Sequence, residues 1–239
     1  MDINSNVATS RLAAQERAID VIATNVANMN TPGFKAERMQ FSDWLDRQRD
    51  GSSIAYTQDR ATWHELSPGP LHQTGNPLDL AIAGDGYFSV STPAGPRLTR
   101  DGRFGVMPDG TIANSAGQAL MDMSGRAIHL SPTDTQLTVS GDGTLSSQNG
   151  VLATIGVVTP RDPMQLIAEG GTLFRSGSNT TQVAKRQVVQ GEIEESNVQP
   201  VAEMTRLIEG ERTFQFLTQY VQAESDRANN AINKIVPQG

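Results

Sequence analysis

The chain has 239 residues, a net charge of −7 from 26 acidic and 19 basic side chains, 37% apolar and 5% aromatic residues, and no cysteine. This length holds one or two domains with a real core, and the lean apolar share, made up by Gly, Ser, Thr, Asn and Gln, predicts many turns and stability borrowed from neighbouring subunits. Lack of cysteine excludes disulfides, thiolate nucleophiles and Cys-based metal sites, and an acidic balance without a long Lys/Arg cluster argues against nucleic acid as a partner.

The start, Met1-Asp2-Ile3-Asn4-Ser5-Asn6, has neither a basic n-region nor an apolar h-region, so no cleaved secretory signal is expected. No stretch approaches the ~18 consecutive apolar residues of a membrane span, so membrane insertion is not expected either. Residues 5–29 read as a helix. Leu12, Ile19 and Val26 fall seven apart, with Ala8, Ile22 and Met29 between them, in a stripe interrupted by Ser5 and Gln15. Such a helix is marginal alone in water and must pack on something. The run Asn25-Val26-Ala27-Asn28-Met29-Asn30-Thr31-Pro32-Gly33-Phe34-Lys35 closes it, with asparagines that hydrogen-bond local backbone and a Pro-Gly turn.

From there the texture turns irregular, with Ser67-Pro68-Gly69-Pro70 a predicted turn, and then β-like. Asp-Gly recurs at 85–86, 101–102, 109–110 and 142–143, and Asn-Gly at 149–150, dipeptides that favour hairpin turns. Tyr87–Val90, Arg103–Val106, Leu137–Val139 and Thr154–Val158 supply strand-like residues. A second helix is predicted from about Asn197–Pro200, with Ser196 or Asn197 as cap and Pro200 in the first turn, to Val236-Pro237-Gln238-Gly239. Leu207, Phe214, Val221, Ala228 and Ile235 repeat every seven residues along it, with Leu217 and Ala231 beside them, and Gly210 and Glu224 interrupt the seam.

These elements predict an α+β fold. Its long N- and C-terminal helices pack as a coiled-coil-like pair around an inserted all-β module. The expected domains are 1–35 with 191–239 as the helical part, 36–74 with 159–190 as irregular, extended connections, and 75–158 as the all-β module.

Catalytic signatures do not emerge. His64, His72 and His129 are scattered, and His64-Glu65 lacks the second histidine of a zincin helix. No G-x-S-x-G elbow, phosphate loop or dinucleotide fingerprint occurs. Gly84-Asp85-Gly86 and Gly141-Asp142-Gly143 read as turns, and three of Asp79, Asp85, Asp101 and Asp109 sit in Asp-Gly dipeptides whose turn geometry already explains them. No enzyme activity, cofactor or metal is expected.

The run Asn25 to Lys35, with Ala36 and Glu37 after it, resembles the N-terminal signature of bacterial flagellar rod and hook proteins, the axial components of the basal body. Two further segments are similar to that family: Asn76-Pro77-Leu78-Asp79-Leu80-Ala81-Ile82 leading into Gly84-Asp85-Gly86-Tyr87-Phe88, and Gln190-Gly191-Glu192-Ile193-Glu194-Glu195-Ser196-Asn197-Val198 before the last helix. Within it, Phe34-Lys35-Ala36-Glu37-Arg38 followed by Phe41 looks most like the proximal-rod members, and distal-rod members share the motifs.

The resemblance implies a structural subunit of the periplasmic rod, polymerising in a helical tube that carries torque from motor to hook. Its partners would be other rod proteins, itself, and the flagellar type III export apparatus, which it would pass without a cleaved signal peptide. Leu12, Ile19, Ile22, Val26, Leu207, Phe214, Leu217 and Val221 would pack the helices for assembly. Asn25, Asn28, Asn30, Gly33 and Phe34 would form the signature turn that fixes the helix exit, and Ala13, Ala14, Ala18 and Ala23 would let neighbouring helices approach. A peptidoglycan-binding β module is the alternative from another class, disfavoured because Trp44 and Trp63 lie outside the predicted β core.

Overall fold

The computed structural model describes residues 3–47 and 53–235. Two helices, α1 (Ile3–Ala27) and α2 (Pro200–Ile235), flank a β-rich middle. The strands are β1 (Glu37–Arg47), β2 (Ser53–His64), β3 (Leu71–Gln73), β4 (Leu80–Ile82), β5 (Tyr87–Thr92), β6 (Gly95–Thr99), β7 (Phe104–Val106), β8 (Ile112–Asn114) and β9 (Ala119–Leu120). They continue as β10 (Thr138–Val139), β11 (Thr144–Ser147), β12 (Gly150–Thr154), β13 (Val157–Pro160), β14 (Leu166–Ala168), β15 (Leu173–Ser176), β16 (Thr180–Gln182), β17 (Val188–Gln190) and β18 (Glu192–Glu194). The α+β class is therefore as expected from the sequence. Among the described residues no helix is long and apolar enough to cross a membrane.

The chain divides into two compact units. The first comprises residues 1–27, 36–65 and 198–239, the second residues 28–35 and 66–197. In the first unit, β1 and β2 pair antiparallel from Glu37↔His64 to Arg47↔Ser53, with a bulge at Gln40/Phe41, and α1 packs against both α2 and this hairpin.

Residues 36–74 are therefore not the irregular connection predicted. The alternation Glu37-Arg38-Met39-Gln40 is too polar to advertise a strand, yet its backbone groups are satisfied by long-range pairing. Asp50-Gly51, between the two strands, is a hairpin signal in the sequence and lies outside the described residues, as do the predicted helix-ending residues Val236 to Gly239.

The second unit is built on a nine-stranded sheet, β14-β15-β6-β5-β9-β8-β7 with β13 paired to β5 and β16 to β13, and a three-stranded sheet, β10-β11-β12. β5 is buried on both faces. Phe88 and Val90 join the main core with Leu80, Phe104, Ile112, Leu120, Leu145, Ile155 and Val157, while Tyr87 packs with Leu98, Val158 and Phe174 on the other side. Edge-to-face contacts fix both clusters, Phe88–Phe104 at 5.6 Å between ring centroids and Tyr87–Phe174 at 5.9 Å.

The segment 159–190, also predicted irregular, supplies β14 to β17, and β14 and β15 extend the main sheet. The predicted strand Thr154–Val158 is broken, because Gly156 lies against the Met121 and Asp122 carbonyls, where a Cβ would sit 2.8 to 3.0 Å away. Asp101-Gly102 is likewise no hairpin turn. Gly102 is a close approach whose Cβ would fall 1.6 Å from the Leu80 carbonyl oxygen, and its own carbonyl accepts the Leu80 N–H at 2.9 Å. Gly69 serves similarly against the Glu195 carbonyl, so at Ser67–Pro70, where a turn was expected, the backbone runs against residue 195 while Ser67, Pro68 and Pro70 stay exposed.

Candidate assembly site: the signature turn and the terminal helices

In the first unit, the buried and half-buried positions of α2 among the described residues are Ala202, Glu203, Leu207, Gly210, Phe214, Leu217, Val221 and Glu224, from Glu203 onward alternating at spacings of four and three. The predicted residues Leu207, Phe214, Leu217 and Val221 all lie on that stripe, each half-buried. On α1, Leu12, Ile19, Ile22 and Val26 are half-buried as well, and Ala8 and Ala14 are buried. Of the small residues expected at helix contacts, Ala13 and Ala18 are half-buried and Ala23 is exposed.

The interruptions in the two stripes meet each other. Gln15 Nε2 donates to the Gly210 carbonyl at 3.2 Å, and a Cβ on Gly210 would stand 3.2 Å from Ile19 Cγ1. A polar residue in one helix is thus answered by a missing side chain in the other, which satisfies the amide and lets the backbones approach. Beside this contact a groove of about 260 Å³ is lined by Glu16, Ile19, Asp20, Glu211, Phe214 and Gln215.

Asn25 ends α1 with a specific task. Its side chain is 0% exposed, accepts the Glu37 N–H at 2.7 Å and donates to the Glu37 carbonyl at 2.9 Å. An amide group therefore completes the backbone of the first residue of β1 as a neighbouring strand would.

Glu203, in the first turn of α2 where the helix dipole favours a carboxylate, is also buried. Its Oε1 accepts from Arg38 and Arg206, both at 2.6 Å, and its Oε2 has no hydrogen-bond partner among the described residues. Burial alone would lower the Arg38 guanidinium, but the hydrogen bonds and charges of Glu203 and Glu65 raise it above its ordinary value. Of Ser196 and Asn197, either of them the expected cap of α2, Asn197 donates its side-chain amide to the Ser67 carbonyl at 3.0 Å, and Glu203 N–H donates to the Gln199 carbonyl at the start of the helix.

The rest of the signature turn lies in the second unit. Asn28 accepts from the Thr31 hydroxyl through Oδ1 at 3.2 Å, and Asn30 is exposed. Gly33 adopts φ 70°, a conformation that favours glycine, and its N–H donates to the Glu194 carbonyl at 2.8 Å. Phe34 is buried at 2% exposure, and its carbonyl accepts the Asn197 N–H.

Lys35, beside it, was not singled out from the sequence. Its ammonium is fully buried, donating to Glu194 Oε1 at 2.5 Å and to the Ser67 carbonyl at 2.8 Å. Glu194 Oε2 accepts from Arg100 Nη1 at 2.9 Å. Arg100 also reaches the Ile82 and Gly84 carbonyls and lies 5.2 Å over the Tyr87 ring. Breaking a buried pair of this kind by removing one partner costs about 3–5 kcal/mol, so the triad has weight in holding the turn. The partners stand 94 and 159 residues apart, and no local pattern could have paired them.

The three sequence segments thus meet in one place. Asn76–Ile82 pairs with the third segment through β4 and β17, Gln190↔Leu80, and through the Gly191 N–H donating to the Asp79 carbonyl. The turn after Asn25 docks on the third segment through Gly33 and Lys35. Arg100, downstream of Gly84–Phe88, closes the cluster.

Comparison with known proteins follows this arrangement. Residues 6–35 match the family described as flagella basal body rod protein, residues 81–147 the flagellar hook protein FlgE/F/G D1 domain, and residues 189–234 the flagellar basal body rod FlgEFG protein C-terminal region. The flagellar basal-body rod protein FlgF of Caulobacter vibrioides is 34% identical, with 98% of each chain covered. FlgF of Mesorhizobium japonicum is also 34% identical, over 96% of each. The basal-body rod protein FlgG of Bacillus subtilis is 31% identical over 90% of this chain and 92% of its own. With such similarity along almost its whole length, the chain belongs to the flagellar basal-body rod protein family.

Proposed function

We propose that the chain is a structural subunit of the proximal flagellar rod, added head to tail to other rod proteins and to copies of itself. The observation that carries this reading is a set of large apolar side chains left exposed on α2, outside the half-buried stripe. Val201, Met204, Ile208, Phe216 and Tyr220 are large apolar side chains left exposed, Phe216 at 68%. Exposed apolar side chains along one helix mark a surface that a neighbouring subunit can cover. Heterologous contacts that do not close on themselves build filaments.

Within the subunit, α1 and α2 pair in a coiled-coil-like manner, supported by the alternating four-and-three spacing on α2 and by the Gln15–Gly210 contact. Leu12, Ile19, Ile22, Val26, Leu207, Phe214, Leu217 and Val221 form that seam, and Asn25, Asn28, Asn30, Gly33 and Phe34 hold the turn that follows α1. The role calls for stiffness and shape complementarity and for no catalysis. Passage through the flagellar export apparatus without a cleaved signal, to the periplasmic rod, follows from the same family reading.

Phe216→Asp tests the reading, since it places a charge among these exposed side chains and leaves the half-buried stripe intact. The variant, expressed at the wild-type level in a motile strain lacking the native copy, should fold with unchanged helix content but fail to enter purified basal bodies. Incorporation and swimming at wild-type levels would refute it.

A further inference from the structure

The buried cluster around Glu194 holds two cations and one carboxylate. Glu194 Oε1 takes Lys35 Nζ and the Gly69 N–H, the latter at 3.1 Å, and its Oε2 takes Arg100. The side chains of Lys35, Arg100 and Glu194 are 0%, 6% and 1% exposed, so water cannot stand in for a missing partner. Lys35 also donates to the Ser67 carbonyl, and Arg100 to those of Ile82 and Gly84. A carbonyl carries a dipole but no neutralising charge. Glu194 is therefore the common counter-ion of a residue before the β module and a residue within it.

Its backbone position is equally central. β18, which contains Glu194, pairs with β3 at Glu194↔Leu71, and Glu195 N–H donates to the Pro70 carbonyl. The Glu194 carbonyl then accepts Gly33 N–H, and Asn197 N–H reaches the Phe34 carbonyl. Residues 192–197 thus lie between residues 70–73 and the turn at Gly33–Phe34, which has this segment as its platform.

We infer that Glu194 is the positioning residue that closes the N-terminal turn: residues 28–35 dock in the second unit only once 192–197 has paired along β3 and presented this carboxylate to Lys35. Docking of the N-terminal segment is thereby made conditional on arrival of the C-terminal one. The charge count sets an order among variants that a merely space-filling role would not produce. Glu194→Gln keeps the shape and the backbone bonds but takes away the carboxylate charge that Lys35 and Arg100 share. Lys35→Met removes one cation and leaves a balanced Glu194–Arg100 pair. The double variant leaves Arg100 alone, with its two carbonyls and the Tyr87 ring.

Hydrogen exchange on purified full-length protein reads this directly, with Gly33 amide exchange reporting the turn and Tyr87–Thr92 the β module. Glu194→Gln should speed exchange at Gly33 by about 100-fold or more, with β5 amides at the wild-type rate. Lys35→Met should change it by less than about tenfold, and adding Lys35→Met to Glu194→Gln should slow exchange relative to Glu194→Gln alone. Wild-type protection at Gly33 in Glu194→Gln would overturn the inference. So would equal loss at Gly33 and β5, or a Lys35→Met effect as large as that of Glu194→Gln.

Discussion

Gly33 and Gly75 share a backbone conformation, φ 70° and φ 75°, but not their surroundings, and substitution of each by alanine separates the two. A Cβ in this left-handed region costs about 1–2 kcal/mol, partly offset by about 0.4–1 kcal/mol from a less flexible unfolded chain. At Gly75 nothing lies within 4 Å of the added methyl, so Gly75→Ala should destabilise by about 1 kcal/mol or less.

At Gly33 the methyl would meet Asp101 N at 2.2 Å and the Arg100 carbonyl carbon at 2.3 Å. Both are main-chain atoms that no rotamer change can move away, so the turn must shift by about an ångström to restore van der Waals distance. That shift breaks the Gly33 N–H bond to Glu194, leaving a buried donor at a cost of about 1–3 kcal/mol. Gly33→Ala should therefore cost about 1–3 kcal/mol more than Gly75→Ala. Urea titration read by hydrogen exchange in residues 28–35 and in β5 gives both numbers. Equal effects at the two glycines, or a Gly33→Ala turn with wild-type protection, would refute the close-approach reasoning.

Asn25→Ala leaves both the N–H and the carbonyl of Glu37 without the side chain that completes them, and should destabilise the first unit by about 2–4 kcal/mol, measured by thermal melting of the helices. Phe214→Ala should cost about 1.5–2.5 kcal/mol in the same melt, roughly half the value for a fully buried phenylalanine, because Phe214 is half-buried. Asp109 and Asp142 are held below the ordinary carboxylate value of 3.8, chiefly by the backbone N–H groups of Thr111 and Thr144. A lowered folded value contributes stability above the unfolded value and loses it as pH falls through the folded one. The second unit should therefore melt at nearly constant temperature from pH 7 to 5 as far as these groups are concerned, and lower below pH 4. Asp109→Asn and Asp142→Asn together should flatten that acid limb.

The helices were legible because their apolar spacing repeats over many turns, and α1 and α2 begin and end within a few residues of the predicted limits. The β middle was legible from its Asp-Gly and Asn-Gly turns, of which Gly86, Gly110, Gly143 and Gly150 do take positive φ. Strands β14 and β15 escape a sequence reading because they are only three and four residues long, although Gly170-Gly171, both at positive φ, marks the turn between them. β1 and β2 escape a reading by apolar alternation because their residues are so polar, and Asp50-Gly51 between them is the one local hairpin signal. In the candidate site, Asn25, Gly33 and Phe34 stood out by residue type and position. Lys35, Arg100 and Glu194 look like ordinary surface charges in the sequence, and only the topology that brings β18 beside the turn turns them into a buried cluster. Gln15 and Gly210 were legible only as defects in two separate stripes, each explained by the other once the helices are paired.

Electron microscopy of basal bodies purified from a strain lacking this chain bears most directly on its assignment to the rod. The expected result is a non-motile strain whose basal bodies carry a rod cut short at the membrane-proximal end, restored to full length when the chain is supplied in trans. A complete rod with its hook, and normal swimming, would contradict it.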